Sequence, residues 1–379
     1  MTSHLSFTSR AEQCLSRNPE TNPIKSYLLR LMSAKKTNLC LSADVTSTSA
    51  LLRLAEACGP YICMLKTHAD IVDDFGPRTI KGLRELSRRY KFLVFEDRKF
   101  GDIGSTVQAQ YARGPLQIAT WAHIVNAHVF PGPSIVKALR QAAEEVLGAE
   151  GRGQVSTEVW VGTPEGTDDE GDLVQGKDGI SGAAGRARQI QGANSRKDSI
   201  VANTTIFQTV ELSQQRSHSQ SPAAGTSQSQ TESTDQGQLE KALQSLEEPP
   251  LARALLLFAQ MSSEGNLMDE QYTSKSVEVA RANEDFVIGY IAQRSLNTKE
   301  GEDFLALTPG IQLPPKGQEN EKVKGDGMGQ QYRSPDEVVG RDGCDIVIVG
   351  RGIISAKNRA EEAQRYRDAA WEAYEARLR

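Results

Sequence analysis

The sequence predicts an α/β protein, a (β/α)8 barrel, on three observations. Eight short, β-rich apolar runs recur along the chain, with polar, helix-like stretches between them. Without a low-complexity segment at 148–249, the chain is close to the about 250 residues typical of such a barrel. Charged side chains gather just after the apolar runs, at the end of the strands where a barrel places its active site.

Each apolar run is typical of a parallel strand, because it is apolar on both faces and would be buried under helices. The predicted strands are Leu39–Ala43, Tyr61–Leu65, Phe92–Phe95, Ile124–Ala127, Ala254–Phe258, Phe286–Ile291, Phe304–Leu307 and Asp345–Val349. The predicted helices are Ser49–Cys58, Gly76–Tyr90, Gly104–Tyr111, Ser134–Leu147, Ser274–Ala282 and Ala356–Arg377. The first 38 residues are expected to add one or two helices that close the bottom of the barrel. An open doubly wound sheet shows the same alternation and is the alternative.

The segment 148–249 divides the predicted barrel into an N-terminal part, 1–147, with strands one to four, and a C-terminal part, 250–379, with strands five to eight. From Ser213 to Gln238 there are seven Ser and seven Gln, and no Val, Ile, Leu or aromatic residue. Such a composition cannot bury enough surface to offset the entropy of ordering. We therefore expect a largely disordered insertion after the helix that follows strand four.

Composition argues against several classes of protein. A net charge of −5 argues against a strongly basic nucleic-acid binder. No apolar stretch reaches the about 18 residues of a membrane span, and the polar segment Met1–Arg10 does not resemble a secretory signal. The five scattered cysteines form no Cys-x-x-Cys pair, and their odd number argues against a disulfide framework. We expect a reducing, cytoplasmic location and neither nucleic acid nor membrane as a partner.

Four charged residues form the main candidate site. Asp97 and Lys99 lie two residues apart, so on an extended strand their side chains point to the same side. Lys66 from the neighbouring strand and Asp102 in a Gly-flanked turn complete an alternating array. Charges in a partly dry pocket must pair with one another, and such arrays cluster at functional sites. A purely structural ion-pair network is the alternative. Asn126 lies at the end of the fourth predicted strand, and the other residues that follow predicted strands are Asp44, Thr67, His68, His128, Ser262 and Pro309.

A second candidate site follows the last predicted strand. Gly350, Arg351 and Gly352 open a helix there, and backbone N–H groups with an arginine fork suit a phosphate dianion. Barrels often bind phosphate after strands seven and eight. Gln330 and Tyr332, in the loop 311–335, would fold over the same phosphate as part of a mobile lid. An ordinary turn is the alternative.

His68 and His128 are the candidate metal ligands. No His-x-x-x-His or His-x-His spacing supports a site, and the nearest acidic residues alternate with lysines. We therefore expect hydrogen-bonding or packing roles for both histidines and predict no metal.

Six blocks of this sequence resemble the orotidine 5′-phosphate decarboxylase family, in its fungal form with low-complexity insertions. The block that resembles the family signature is Phe95–Gly104, read as FEDRKFGDIG. The supporting blocks, in the family's order, are Leu41–Val45, Leu65–Asp70, Leu307–Gly310, Gly329–Arg333 and Ile348–Ile353. Together the blocks extend over nearly everything outside the insertion.

The resemblance implies a homodimeric (β/α)8 barrel that converts orotidine 5′-monophosphate to UMP and CO2 in pyrimidine biosynthesis, with no metal or organic cofactor. By resemblance, Lys99 is the proton donor, Asp97 lies beside the substrate carboxylate and Lys66 holds the array. Asp102 and Thr106 resemble residues that reach into the partner subunit's site. The other residues with an implied substrate contact are Asp44, Lys66, Thr67 and His68 near the ribose, Ser262, Pro309 and Gln330 at the pyrimidine, and Gln330, Tyr332, Gly350 and Arg351 at the phosphate.

Two features depart from the family pattern. Glu264 stands where the family has a lysine, and the loop Gln312–Met328 is longer and more charged than expected. Three other functions remain open at this point: a Schiff-base aldolase, a metal-dependent sugar-phosphate decarboxylase of related fold, and a non-catalytic barrel whose insertion recruits partners.

Overall fold

A computed structural model describes residues 5–17, 21–151, 243, 246–263, 265–315, 317 and 331–379. Eight parallel strands form a closed barrel in sequence order. The strands are β1 (Leu39–Ser42), β2 (Met64–Thr67), β3 (Leu93–Phe100), β4 (Ile124–Ala127), β5 (Ala254–Phe258), β6 (Val287–Ile291), β7 (Leu305–Thr308) and β8 (Ile346–Val349). The α-helices are α1 (Phe7–Arg17), α2 (Pro23–Lys35), α3 (Thr48–Cys58), α4 (Pro77–Tyr90), α5 (Gly104–Ala112), α6 (Ile118–Trp121), α7 (Ser134–Gly151), α8 (Glu270–Arg281), α9 (Arg351–Ile354) and α10 (Arg359–Leu378).

Closure of the sheet confirms the predicted barrel and excludes the open sheet. Strand β1 pairs in parallel with both β2 and β8, and Leu41 is aligned with Leu65 on one side and Val349 on the other. Nearly every strand residue is buried, since side chains on one face fill the barrel and those on the other pack under helices.

The two N-terminal helices lie at the amino-terminal end of the barrel, as predicted. Arg10 on α1 forms an ion pair with Asp345, the residue before β8. Lys35 at the end of α2 is buried, and its Nζ donates to four carbonyl oxygens. Those carbonyls belong to the segments that enter β2 and β3, so a single ammonium group ties α2 to two neighbouring strands.

Strand boundaries differ from prediction where the site is built. Strand β2 begins at Met64 rather than Tyr61, because Gly59–Tyr61 forms a 3-10 turn containing a proline. Strand β3 continues to Phe100, five residues beyond the predicted end. As a result the charged residues of β2 and β3 lie within strands, where neighbouring backbone holds them.

Both edges of the predicted insertion carry described structure. Helix α7 continues to Gly151, Leu246 is buried, and Glu248 pairs with Lys91 at 2.9 Å. The rest of the predicted insertion, residues 152–242, lies outside the described part of the chain. Among the described helices, none combines the length and the hydropathy that crossing a membrane requires.

Candidate active site

A cavity of about 290 Å³ opens at the carboxyl ends of the strands. Ser42 on β1 is aligned with Lys66 on β2, which in turn is aligned with Phe95 on β3. All three residues line this cavity. The predicted site residues that line it are Asp44, Lys66, His68, Asp97, Lys99, Ser262, Pro309, Tyr332, Gly350 and Arg351. The two candidate sites predicted from sequence are therefore parts of one pocket.

Asp97 is the centre of the charge array. Its Oδ2 lies 2.7 Å from Lys66 Nζ, and its Oδ1 lies 2.7 Å from Lys99 Nζ. Burial would by itself raise the pKa of Asp97, but the hydrogen bond from His68 and the charges of Lys66 and Lys99 outweigh burial and hold the pKa well below its ordinary value. Asp97 is thus ionised and shared between two lysines.

Lys99 differs from the other members in its exposure and its backbone. Its side chain is 38% exposed, against 9% for Lys66 and Asp97, and its Nζ lies 5.6 Å from the centre of the Phe258 ring. Its φ of 51° is left-handed, an uncommon state for a residue with a side chain. The regular pairing of β3 with β4 breaks between Glu96 and Phe100, where this conformation occurs. Lys99 is therefore the more exposed of the two lysines that line the pocket.

Asp44 and His68 flank Lys66. Asp44 accepts a hydrogen bond from Ser42 Oγ at 2.8 Å and lies 3.8 Å from Lys66 Nζ. His68 Nε2 lies 2.8 Å from Lys66 Nζ and 3.3 Å from Asp97 Oδ2. The hydrogen-bonding role predicted for His68 matches this position. His128 stacks on Phe258 with ring centres 4.9 Å apart.

Asp102 does not join the array of Lys66, Asp97 and Lys99 within this chain, contrary to the prediction from spacing. It lies beyond the end of β3, and its carboxylate accepts hydrogen bonds from Ile103 N–H and Gln110 Nε2. Among the described residues it has no ion-pair partner. Thr106 is exposed on α5 and also lies outside the cavity.

The side chain of Thr67 does not face the cavity, contrary to prediction. Successive strand residues point to opposite faces, so Lys66 faces inward and Thr67 faces the helices. Thr67 Oγ1 donates to Glu96 Oε2 at 2.6 Å, and Ala69 N–H donates to Glu96 Oε1 at 2.9 Å. Burial raises the pKa of Glu96 to about 8 despite these hydrogen bonds. Glu96 thereby holds the loop after β2 that carries His68.

Glu96→Gln should remove a pH dependence of stability. An unfolded glutamate loses its proton near 4.5, whereas Glu96 in the fold keeps it until about 8. Between those values the folded state binds more protons, so the free energy of unfolding falls as pH rises, by on the order of 3 kcal/mol. Denaturant unfolding at pH 5 and pH 8 should show this fall in the unsubstituted protein and a smaller one in the variant. Glu278→Gln, on the exposed face of α8, is the control; equal falls in all three proteins would contradict the prediction.

The phosphate candidates Gly350 and Arg351 follow β8, which is separated from β3, the strand of Lys99, by β1 and β2. Arg351 begins α9 directly after β8, and its guanidinium carbon lies 5.6 Å from the centre of the Tyr332 ring. Arg333 N–H donates to Gly310 O at 3.0 Å, which joins the two ends of the predicted lid loop. Gln330 and Glu264 lie outside the described residues, as do 316 and 318–330.

Sequence reasoning assigned no role to two buried polar residues, Glu96 and Asn126. Asn126 accepts a hydrogen bond from Lys99 N–H and donates one to Asp97 Oδ1, both at 2.7 Å. An amide side chain within an otherwise apolar buried strand was the available signal, because buried polar groups require partners. Of the described histidines, cysteines and acidic residues, no three come together as a metal site would require.

Lysines and aspartates paired at the carboxyl ends of barrel strands define a class of barrel enzyme that works through side-chain charge. Residues 37–366 match the Orotidine 5′-phosphate decarboxylase / HUMPS family. The orotidine 5′-phosphate decarboxylase of Hypocrea atroviridis is 46% identical over 374 residues, which cover 94% of this chain and 95% of its own. That of Aureobasidium pullulans is 40% identical over 379 residues, covering 100% and 98%. A solved orotidine 5′-monophosphate decarboxylase from Methanocaldococcus jannaschii, complexed with the inhibitor BMP, aligns at 16% identity and TM-score 0.44 over 88% of this chain and 98% of its own.

This chain therefore belongs to the orotidine 5′-phosphate decarboxylase / HUMPS family. The resemblance inferred from six sequence blocks is confirmed, and both relatives named above at 40% identity or more are fungal.

Proposed function

We propose that this chain decarboxylates orotidine 5′-monophosphate to UMP and CO2, with Lys99 as the group that stabilises and then protonates the carbon left behind. Family membership supports the reaction. One observation carries the mechanism: Lys99 Nζ is held 2.7 Å from Asp97 and remains accessible from the cavity.

The chemistry explains why a fixed ammonium is needed. Loss of CO2 from C6 of the pyrimidine leaves a carbanion in the plane of the ring, where the π-system absorbs it poorly. A preorganised positive charge at that carbon lowers the energy of the transition state without reorganisation. The same nitrogen then delivers a proton to C6 as a general acid.

Asp97 holds Lys99 in position. Its two oxygens each pair with one lysine at 2.7 Å, and two ion-paired lysines leave Asp97 little freedom to move. Asp97 also lies where the substrate carboxylate would approach Lys99, so its charge opposes the bound substrate and not the CO2-depleted product.

The remaining cavity residues would hold the parts of the nucleotide. Asp44, Lys66 and His68 lie together and would bind the ribose hydroxyls, and Ser262 and Pro309 would contact the base. Arg351, Tyr332 and Gly350 would hold the phosphate, and by resemblance so would Gln330, which lies outside the described residues. Because the described phosphate contacts and Lys99 line one cavity, a nucleotide could reach from the phosphate contacts to Lys99. No cofactor is part of this proposal.

The active form would be a homodimer that shares its sites. Apolar side chains project from the mouth near Asp102: Ile103 is 55% exposed and Phe130 is 67% exposed. Exposed apolar side chains are common at protein–protein interfaces, and these two lie on the segments after β3 and β4, so this edge suits contact with a second copy. Asp102 and Thr106 stand on that edge and would complete the partner's site.

The proposed location is the cytoplasm. All five cysteines are free and buried, and burial raises the pKa of the thiols of Cys14 and Cys58 to about 11. Five unpaired thiols suit a reducing compartment.

The proposed function is tested by the loss of ultraviolet absorbance when purified protein meets orotidine 5′-monophosphate with EDTA present. Turnover should persist in EDTA, and orotidine, which lacks the phosphate, should show a kcat at least about 10²-fold lower, because binding energy at a remote group is used at the reacting carbon. Arg351→Ala should lower turnover of the nucleotide but not of orotidine, while Arg367→Ala on α10 should alter neither. Equal kcat for the two substrates would contradict the role of the phosphate, and no turnover of the nucleotide would overturn the function.

A further inference from the structure

Asn126 connects Asp97 and Lys99 through one fully buried amide. Its Oδ1 accepts the backbone N–H of Lys99 and its Nδ2 donates to Oδ1 of Asp97, each at 2.7 Å. The orientation of the amide is determined, because only oxygen can accept the N–H and only nitrogen can donate to the carboxylate.

The amide lies where the sheet loses its regular pairing. Glu96 is aligned with Val125 and Phe100 with Ala127, so three residues of β3 lie opposite the single residue Asn126 of β4. Backbone hydrogen bonds between β3 and β4 are therefore interrupted along this stretch. The side chain of Asn126 supplies the acceptor that the N–H of Lys99 would otherwise lack. A buried N–H without a partner is costly, which makes this contact part of the strand's local structure.

The same contact stabilises an uncommon backbone. Lys99 has a φ of 51°, and left-handed residues with side chains are strained and persist only where the surroundings enforce them. With this backbone, Lys99 Nζ returns to Asp97, two residues earlier in the chain. Asn126 therefore holds the peptide of the lysine and the carboxylate that receives its ammonium.

We propose that Asn126 is a positioning residue that sets the geometry of the Asp97–Lys99 pair, a role that rests on the proposed function. It does not line the cavity and would not touch substrate. Its neutral amide donates a hydrogen bond to Asp97 Oδ1. It therefore adds no charge to a site in which Lys66 and Lys99 already pair with carboxylates.

Asn126→Asp tests the proposal because protonation can restore the lost donor. One oxygen of the new carboxyl would still accept Lys99 N–H, and the other would face Asp97 Oδ1. A protonated carboxyl donates to Asp97 as the amide does, whereas an ionised one repels it, and such pairs share a proton with a raised apparent pKa. The kcat of N126D should approach the unsubstituted value at low pH and fall about tenfold per pH unit above that apparent pKa.

Other groups near position 126 must be separated from this effect. The charged and titratable groups that face it are Asp97 and Lys99 on β3, with Lys66 and His68 behind Asp97 and His128 just after β4. The aligned residue on β5 is Leu256, which does not titrate. Asn126→Ala retains all the titratable groups, so its profile shows what they contribute; its kcat should be about 10²-fold lower at every pH, as expected for a misplaced reacting group, with UMP binding unchanged.

The matched control is Asn38→Asp at the opposite end of the barrel. Asn38 is fully buried and its Nδ2 donates to Asp345 O at 3.1 Å, so the substitution again places a carboxyl inside the fold. Its kcat profile should parallel that of the unsubstituted protein. A parallel profile for N126D, or a kcat of N126A within about threefold of normal, would overturn the positioning role. Inactivity of the unsubstituted protein would instead overturn the proposed function, and this role with it.

Discussion

Replacing Lys99 by alanine should lower kcat by about 10⁴–10⁷-fold while UMP binding stays nearly intact. One preorganised charge contributes about 10²–10³ in rate and a positioned general acid about 10²–10⁴, and Lys99 is proposed to supply both. The product has no carboxylate and no carbanion, so it gains little from the ammonium. Single-turnover assays with orotidine 5′-monophosphate, together with calorimetric titration of UMP, measure the two quantities separately.

Lys91→Ala is the matched control for that experiment. Lys91 is also a lysine with a φ of 51°, and it pairs with Glu248 outside the cavity. Both substitutions replace a lysine whose backbone is left-handed. Any loss of activity that comes from the backbone alone should therefore appear in both variants. A residual kcat of the Lys99 variant within about tenfold of the Lys91 variant would contradict the proposed role of Lys99.

Mixing two inactive variants should restore activity if each site borrows Asp102 from its partner. A chain with Asp102→Ala keeps its own Arg351, and a chain with Arg351→Ala offers its Asp102, so their heterodimer holds one native site. Statistical exchange makes half of the dimers mixed, and the mixture should reach about a quarter of unsubstituted activity. The measurement is specific activity after the two purified chains are unfolded together and refolded.

The control for mixing uses two residues of the same subunit's site. Lys99→Ala and Arg351→Ala each damage the site of their own chain, so a heterodimer of these chains has no native site. That mixture should stay inactive. Recovery there would show that Lys99 or Arg351 serves the partner's site, whereas no recovery with the Asp102 variant would show that Asp102 acts within its own subunit.

The barrel could be predicted because its strands carry a strong signal. Buried parallel strands are continuous apolar runs, and the bounds of all eight lie within five residues of those that the sequence predicts. The boundary of β2 was missed because Ile62 and Cys63 are as apolar as the strand that follows them. An apolar run in the sequence indicates that a segment is buried. It does not distinguish a buried strand from a buried turn beside that strand.

The site could be predicted only as far as local geometry reaches. The period of two along a strand places Asp97 and Lys99 on one side, and the structure brings both to the cavity. The same alternation along β2 predicts that Lys66 faces the cavity and that the next residue, Thr67, faces away from the cavity. The left-handed Lys99 and its contact with Asn126 depend on how β3 mismatches β4, and pairing between strands is invisible in one sequence. Asp102 was placed in the array because its distance along the chain is short, although the turn after Phe100 carries it away.

The position of residues 152–242 has a consequence for how the enzyme is made. Strand β4 finds its neighbour β5 only after this whole segment has left the ribosome, and β1 waits for β8, the last strand of all. At about 5–20 residues per second the delay amounts to roughly 5–20 s. During that interval the nascent half-barrel has two open edges with unsatisfied hydrogen-bonding groups, the condition in which strands pair with the wrong chain. Synthesis, more than the finished fold, is where this protein is exposed to aggregation.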